Sequence, residues 1–586
     1  MPINKNLNET VESQTNISIP RSRFQKTYET LTTFNPGYWF PVNVQEVLPG
    51  ETIKNDVRVL TRMLTPVTPT MDDCYLDVAT FFVPCRLCTS LPGQFEKMMG
   101  AVGEPDAWTK TLGGDDLFSD DMNYVSFNGP NDATSHIQSM SLANYLGLPI
   151  YHQDVPSGSN FSVSAVSFLP IRAVQKIWNE WLRDENLIPS VSFDSDEAWV
   201  YCTKPLSEVC KDTSSLHQFM AARKLKDYFT SALPAPQKGA VTSLSFAGVT
   251  APVVTSSQNN VTFHNQPLKW ADPSTGAAPT VNGQLYSLAQ SGGLPITVHG
   301  AASSPSSYGA LTPANLVADL SNATGLTAND IRMVFGIQRL QEKLARGGSR
   351  WNEYLHALYG VQVNPGLVNM SVYLGGFTVN INTQEVVQTS GTTDVSPLGF
   401  PGAQSVNFGS SAFSSSFQEH GYVITLATAR VHQSYSQGIS PMWRRMRFYD
   451  FFSPTLSFIG EQPIYGEELY ASIESRRFDS QGAVQSLAPI FGYKEAWEEY
   501  RKPLKMVTGN FAPDAKDATL SVWTYTTNFA AMPHLNSGFI VENPNQLLQT
   551  LAQTDTKTAF IGDFAILCDD YTPVPLNGFP GLVDHF

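Results

Sequence analysis

The sequence predicts an all-β protein with long irregular connections and few helices. Three observations carry that reading. The 586 residues include 41 Gly and 39 Pro, so turns are frequent and long helices are rare. Apolar residues make up 42% and aromatics 11%, enough for a large core built from types that suit pleated, half-buried strands. Charged residues make up only 15%, against about 25% in ordinary soluble domains. Between Trp351 and Ala429 there is no Lys or Arg, and between Ala240 and Ala328 there is only Lys269. A surface this poor in charge is either coated by Ser, Thr, Asn, Gln and Gly or covered by other protein. A net charge of −15 argues against a whole-protein attraction to nucleic acid, so any such contact must be local.

Taken in order, residues 1–35 are polar and read as a flexible arm carrying Arg21, Arg23 and Lys26 around Phe24. Strand-like patterning begins at Tyr38. Val57 to Leu64 alternates with period two, placing Arg58 and Arg62 opposite Val57 and Val59. Cys74 to Val83 is a second strand, closed by Pro84. Ser141 to Leu146 reads as a short helix ending at Gly147. Pro170 opens a longer one, with Ile171, Val174, Ile177, Trp178, Trp181 and Leu182 on a single stripe. Tyr228 to Leu233 is strand-like. Gly239 to Asn329 is rich in Gly, Ser, Thr, Ala and Pro. A structureless loop of that length is improbable, so an inserted subdomain of short strands is expected. Asp330 to Arg346 is a helix stopped by Gly347-Gly348, and Trp351 to Tyr359 is another, ended by Gly360. Gln388 to Gln418 reads as a second insert. Strands are expected at Tyr422–Arg430, Leu520–Asn528 and Phe560–Cys568, before an extended tail with Pro573, Pro575 and Pro580. The expected division is an arm (1–35), a β domain in two parts (36–239 and 329–586) and the insert (240–328).

Signatures of chemistry are mostly missing. The sequence contains no GxSxG, HExxH, Walker loop or GxGxxG. Six cysteines are too few for a disulfide framework, and the single CxxC, Cys85 and Cys88, lacks the second pair a zinc ribbon needs. Reduced, packing cysteines are expected. No apolar run reaches the roughly 18 residues of a membrane helix. The opening Met-Pro-Ile-Asn-Lys lacks a secretion pattern, so synthesis in a reducing cytoplasm and no membrane insertion are expected. Paired acids at Asp72-Asp73, Asp115-Asp116, Asp120-Asp121 and Asp569-Asp570 read as solvated turn residues; a structural Ca²⁺ is the one cofactor they admit.

The basic cluster Met442-Trp-Arg-Arg-Met-Arg-Phe-Tyr449 interleaves Arg444, Arg445 and Arg447 with aromatics. Two readings fit equally. Guanidinium groups on phosphates and rings under bases would hold single-stranded nucleic acid. Alternatively, the cluster is an Arg-bearing strand whose guanidiniums pair with carboxylates at a subunit interface. Arg21, Arg23 and Lys26 in the arm pose the same choice, between phosphate contact and docking on a neighbour. Arg346-Gly-Gly-Ser-Arg350 suggests a phosphate nest, but a helix stop followed by a new helix start explains it more simply. The residues alone also leave open a β-rich carbohydrate-binding adhesin or glycan-active enzyme, favoured by aromatic richness and Gly/Ser-rich loops.

Several strings, in order, resemble one family. They are Phe81-Phe-Val-Pro-Cys-Arg-Leu87, Trp181-Leu-Arg-Asp-Glu-Asn-Leu187 and Asp227-Tyr-Phe-Thr-Ser-Ala-Leu-Pro-Ala-Pro-Gln-Lys-Gly239. Ala345-Arg-Gly-Gly-Ser-Arg350, Tyr373-Leu-Gly-Gly376, His420-Gly-Tyr422, Tyr435-Ser-Gln-Gly438, Phe491-Gly-Tyr493 and Pro580-Gly-Leu-Val-Asp-His585 follow. The chain is similar to the major capsid proteins of the Microviridae, nearest the gokushovirus-like branch. The resemblance fails across Ala240–Ala328. It implies an eight-stranded viral jelly roll with large loop insertions, and no enzymatic activity. It also implies a virion protein, made in the bacterial host cytoplasm, that forms a T=1 icosahedral shell of sixty copies around circular single-stranded DNA. Implied partners are further copies of the chain, the DNA genome, minor virion and internal DNA-binding or scaffolding proteins, and a host cell-surface receptor met by the outward insert. Inner-face DNA contact would fall to Arg444, Arg445, Arg447 and the arm. Cys85 stands at the variable position of its motif, which makes the CxxC incidental.

Overall fold

The computed structural model describes residues 20–64, 70–89, 137–150, 163–192, 201–210, 218–240, 328–381, 407–471, 489–515, 519–551 and 558–577, with isolated residues and short strands between them. The chain forms two compact units, residues 1–238 with 342–586, and residues 239–341.

Eight long strands build the first unit: β1 (Ser22–Phe34), β2 (Phe40–Val47), β3 (Thr52–Met63), β4 (Cys74–Pro84), β5 (Val372–Ile381), β6 (Asn407–Ser416), β7 (Gly421–Val431) and β8 (Phe560–Thr572). One four-stranded sheet has the order β1-β8-β3-β6, the other β5-β4-β7-β2, and every pairing within them is antiparallel. Each sheet interleaves strands from widely separated parts of the chain, as in the double-sheet jelly roll of capsid and lectin domains. The expected fold class is therefore the observed one.

The two sheets differ in a way their sequences explain. In β3 and β8, buried and more exposed residues alternate, so one face is packed and the other is open. β4 and β7 are buried almost throughout, because both faces are covered. The second cover includes α1 (Leu142–Tyr145), capped by the Ser141 hydroxyl, and α2 (Leu169–Ile177), which continues into a π-helical turn, Trp178–Leu182. Phe168, Ile171, Val174, Ile177 and Trp178 join the main core with Leu76, Val78, Phe81, Ile424 and Leu426. Deeper in that core, Phe34 stacks on Phe40 at 4.6 Å and on Phe560 at 5.3 Å, joining the starts of β2 and β8 to the end of β1.

Four expectations change. Residues 22–34 are not a flexible arm: β1 pairs with β8 along its whole length, from Ser22↔Thr572 to Phe34↔Phe560. The strand has a polar outer face, and its partner lies more than 500 residues away, so no local pattern reveals it. The second insert contains β6, an edge strand on β3 whose Ser- and Gly-rich sequence hides its alternation. Leu520–Asn528 holds a 3₁₀ turn, Ser521–Trp523, and only a two-residue strand, Thr526–Thr527. Tyr228–Leu233 is a turn. There Asp227 Oδ1 accepts the N–H groups of Phe229 (2.9 Å) and Thr230 (2.7 Å), and Oδ2 accepts the Tyr435 hydroxyl (2.9 Å). Tyr228 and Phe229 then enter a second core with Ile464, Leu469, Phe491 and Phe539.

In the second unit, Val253–Ser257 pairs with Leu316–Ala318 and with Asn260–Phe263, while Ser287–Ala289 pairs with Thr297–His299. Its span of 239–341 takes in most of α3 (Ala328–Arg346), the helix expected from Asp330; α4 (Trp351–Tyr359) follows, with Gly360 left-handed at its end.

Asp227→Ala leaves two backbone N–H groups and the buried Tyr435 hydroxyl without their acceptor. A destabilisation of about 3 kcal/mol is expected, read as a lowered denaturant midpoint of the purified subunit, with Asp227→Asn losing less.

Candidate assembly and nucleic-acid interface

Motif strings far apart in sequence meet at the flanks of the 239–341 unit. Lys238 Nζ donates to the Gly348 carbonyl (3.0 Å) and the Ser349 hydroxyl (2.8 Å). Ser349 lies 3.0 Å from Asn186 Oδ1, and Arg350 donates to the Arg183 carbonyl (3.0 Å) while pairing with Glu185 (3.1 Å) and Glu353 (2.9 Å). Gly347 permits a close approach between the end of α3 and α4: a Cβ there would lie 2.3 Å from that of Ala357. Gly348 has φ of +94°, which glycine adopts freely, and the Glu353 carboxylate closes over it. A carboxylate thus fills the place where a nest would hold phosphate.

The arginine cluster is not a strand but a run of 3₁₀ turns, Pro441–Arg444 and Phe448–Asp450. Arg444 is clamped between Glu467 (2.6 Å) and Glu468 (2.9 Å) and lies 4.3 Å from the centroid of the Tyr465 ring. Arg445 pairs with Glu499 (2.9 Å) over the Tyr500 ring. The Tyr435-Ser-Gln-Gly438 motif supports this clamp. The Ile439 N–H donates to the Glu467 carbonyl (3.0 Å), and a Cβ on Gly438 would collide with the Glu468 backbone. Burial pushes Glu468 up to about 7 despite Arg444 beside it. These groups line a cleft of about 620 Å³ with Lys494, Glu495 and Trp497. Of the three arginines only Arg447 is exposed, and its charge, after the Met446 and Arg447 N–H groups, helps hold the Asp450 carboxyl low. Trp443, Phe448 and Tyr449 also point outward.

The arm's basic residues follow the same rule. Arg23 pairs with Asp569 (2.9 Å) and Lys26 with the buried Asp570 (2.6 Å), although both, like Arg21, are exposed. On the open face of β1-β8-β3-β6, Arg23, Lys54, Arg58 and Arg62 are matched by Glu29, Asp56, Asp563 and Asp569. That face carries no excess of positive charge. Behind it, Glu51 at the β2–β3 turn is buried against Asp570 and accepts the Leu48 N–H (2.6 Å). Burial, followed by the neighbouring Asp570 carboxylate, raises the Glu51 pKa to about 7.

Two of the paired acids are therefore not solvated turns. Asp72 is buried, accepting from Lys505 and from the Tyr525 N–H, and Asp570 is buried beneath β1. Asp115-Asp116 and Asp120-Asp121 lie outside the described residues. Among the described residues no group of three or more His, Cys, Asp or Glu side chains is placed to hold a metal ion. All six cysteines are free, and burial pushes Cys85 up to about 11 and Cys210 up to about 12, so both are thiols at neutral pH. Sequence reasoning missed Glu51 entirely, since a lone acid after Pro-Gly looks like an ordinary turn residue. It also missed the apolar surface just beyond the arginine cluster, where Phe451-Phe452 and Phe458-Ile459 were the available signal.

A family model described as capsid protein (F protein) matches residues 12–582. The chain belongs to this phage capsid family. Its relatives include capsid protein VP1 of Bdellovibrio phage phiMH2K, 32% identical over 576 residues that cover 97% of this chain and 96% of the relative. Capsid protein VP1 of Chlamydia phage 1 is 32% identical over 607 residues, and that of Spiroplasma virus 4 is 31% identical over 570; each alignment covers 96% of both chains. For a capsid protein the features above have a structural role in the virion: the jelly roll is a shell-building subunit, and assembly is with copies of itself. Among the described residues no helix is long and apolar enough to cross a membrane.

The raised Glu51 pKa has a measurable sign. Glu51 binds a proton in the folded subunit between about pH 4.5 and 7, where the unfolded chain has released it, so stability falls as pH rises through that window. Glu51→Gln keeps an acceptor for Leu48 and supplies a donor to Asp570. It is expected to remove up to one proton's worth of slope, about 1.4 kcal/mol per pH unit, when unfolding midpoints are measured from pH 5 to 8.

Proposed function

We propose that this chain is the shell subunit of a small T=1 icosahedral particle, sixty copies enclosing circular single-stranded DNA. The observation that carries the reading is the β1-β8-β3-β6 and β5-β4-β7-β2 jelly roll in a chain that belongs to the phage capsid family along nearly its whole length. Its mechanism is assembly through symmetric contacts, not chemistry. The 240–328 insert is the part that meets the host surface, where its low charge suits glycan or protein recognition. Minor virion proteins and internal DNA-binding or scaffolding proteins complete the particle. Arg21 and Arg447 contact the genome; Arg23, Lys26, Arg444 and Arg445 brace the subunit through their carboxylate partners.

The direct test is electron microscopy of the purified protein, with light scattering on the same sample and with circular single-stranded DNA added. Uniform spherical particles of T=1 size are expected. A clean monomer with and without DNA and virion partners sinks the reading. Reversing charge at Arg21 and Arg447 together is expected to cut nuclease-protected DNA severalfold while particles still form. Unchanged DNA content would place genome contact elsewhere.

A further inference from the structure

We infer that the exposed apolar side chains of the segment 442–459 are a subunit–subunit contact, covered in the assembled shell by a second copy of this chain, with Arg447 left at the rim of that contact. The inference rests on the shell reading and assigns it a surface.

The segment lies at the surface of the first unit as a series of 3₁₀ turns with no strand partner among the described residues. Its large side chains face outward: Phe458 is 97% exposed, Phe448 82%, Tyr449 75% and Trp443 69%, with Met446 and Phe451 beside them. At 150–250 Å² for each buried aromatic, the segment offers roughly 1,000 Å² of removable surface. The largest apolar patch on an ordinary monomer is about 300–600 Å². A specific interface removes about 800 Å² from each partner. Summed along the segment, the exposed apolar side chains offer enough surface for one stable contact.

Its base is fixed. Arg444 and Arg445 are held by Glu467, Glu468 and Glu499, the Met446 and Arg447 N–H groups donate to Asp450 (2.9 and 2.8 Å), and the Trp497 indole donates to the Leu456 carbonyl (3.1 Å). A platform anchored this way loses little conformational freedom on association. The same pairing decides what covers it. DNA binds through phosphates, and the two most buried guanidiniums are already neutralised within the chain. The remaining surface is aromatic and aliphatic, with methionines, the composition of an obligate protein interface core. A capsid subunit meets its own copies throughout the shell, so the occupant is another copy.

Phe448→Ser combined with Phe458→Ser removes apolar area from exposed positions and should leave the subunit's unfolding midpoint unchanged. Under conditions where wild-type protein forms particles, the double variant is expected to lose at least tenfold in particle yield and remain as smaller species in light scattering. Wild-type yield from the folded variant overturns the inference and leaves the shell reading intact. If neither protein assembles under any condition, both fail. A second measurement does not depend on the variant's folding: a photoreactive benzoylphenylalanine in place of Phe458 is expected to crosslink to another copy of the chain in assembled particles. Crosslinks confined to DNA or to a different virion protein overturn the inference.

Discussion

Burial of β4 and β7 on both faces is the constraint on which the rest of the subunit depends. One face packs against the β1-β8-β3-β6 sheet and the other against α2 and its π-helical extension. Because no backbone group in this pair can turn to water, both strands must be paired on both sides, and β5 and β2 supply those partners. The ends of the buried strands then place the polar groups. Arg86, just past β4, pairs with Glu419 just before β7 (2.7 Å), and Arg430 near the end of β7 pairs with Asp77 in β4. The α2 extension carries Trp181, whose indole donates to Ser371 at the start of β5 (3.1 Å to the carbonyl), and ends at Arg183, where the flanks of the second unit are tied.

Charge is scarce in this chain, and much of it is directed inward. Lys26, Arg86, Arg350, Arg430, Arg444 and Arg445 each meet a carboxylate on a distant stretch of the same chain. Pairs of this kind add little net stability, because the desolvation they require offsets their attraction. Their value is geometric: each fixes a turn or strand end in one position. A subunit that must repeat identically around a closed shell needs fixed edges, and it can leave the surfaces meeting its neighbours apolar.

Local pattern made much of the architecture legible. Alternation marked β3 and β7, β-branched and aromatic content marked β4, and a single stripe marked α2; the Gly347-Gly348 stop is where α3 ends. It failed where the partner supplied the order. β1 and β6 have polar outer faces and read as arm and insert, because only their pairing with β8 and β3 makes them strands. At Asp227 a single carboxylate capturing two N–H groups overrode the β propensity of Tyr228 and Phe229.

The sequence by itself determined composition, fold class, the helices with clear stops and the family whose motifs it carries. These depend on short-range periodicity and on residue strings that survive without knowledge of contacts. Tertiary structure alone decided the state of each charge. Arg444 and Arg447 stand three residues apart in one motif, yet one is clamped between buried glutamates and the other faces solvent. Asp569 and Asp570 are adjacent, yet one is held low by Arg23 at the surface while the other is buried beside Glu51. An ionisable group's character is set by the solvent and charges it meets, and those arrive from parts of the chain hundreds of residues away.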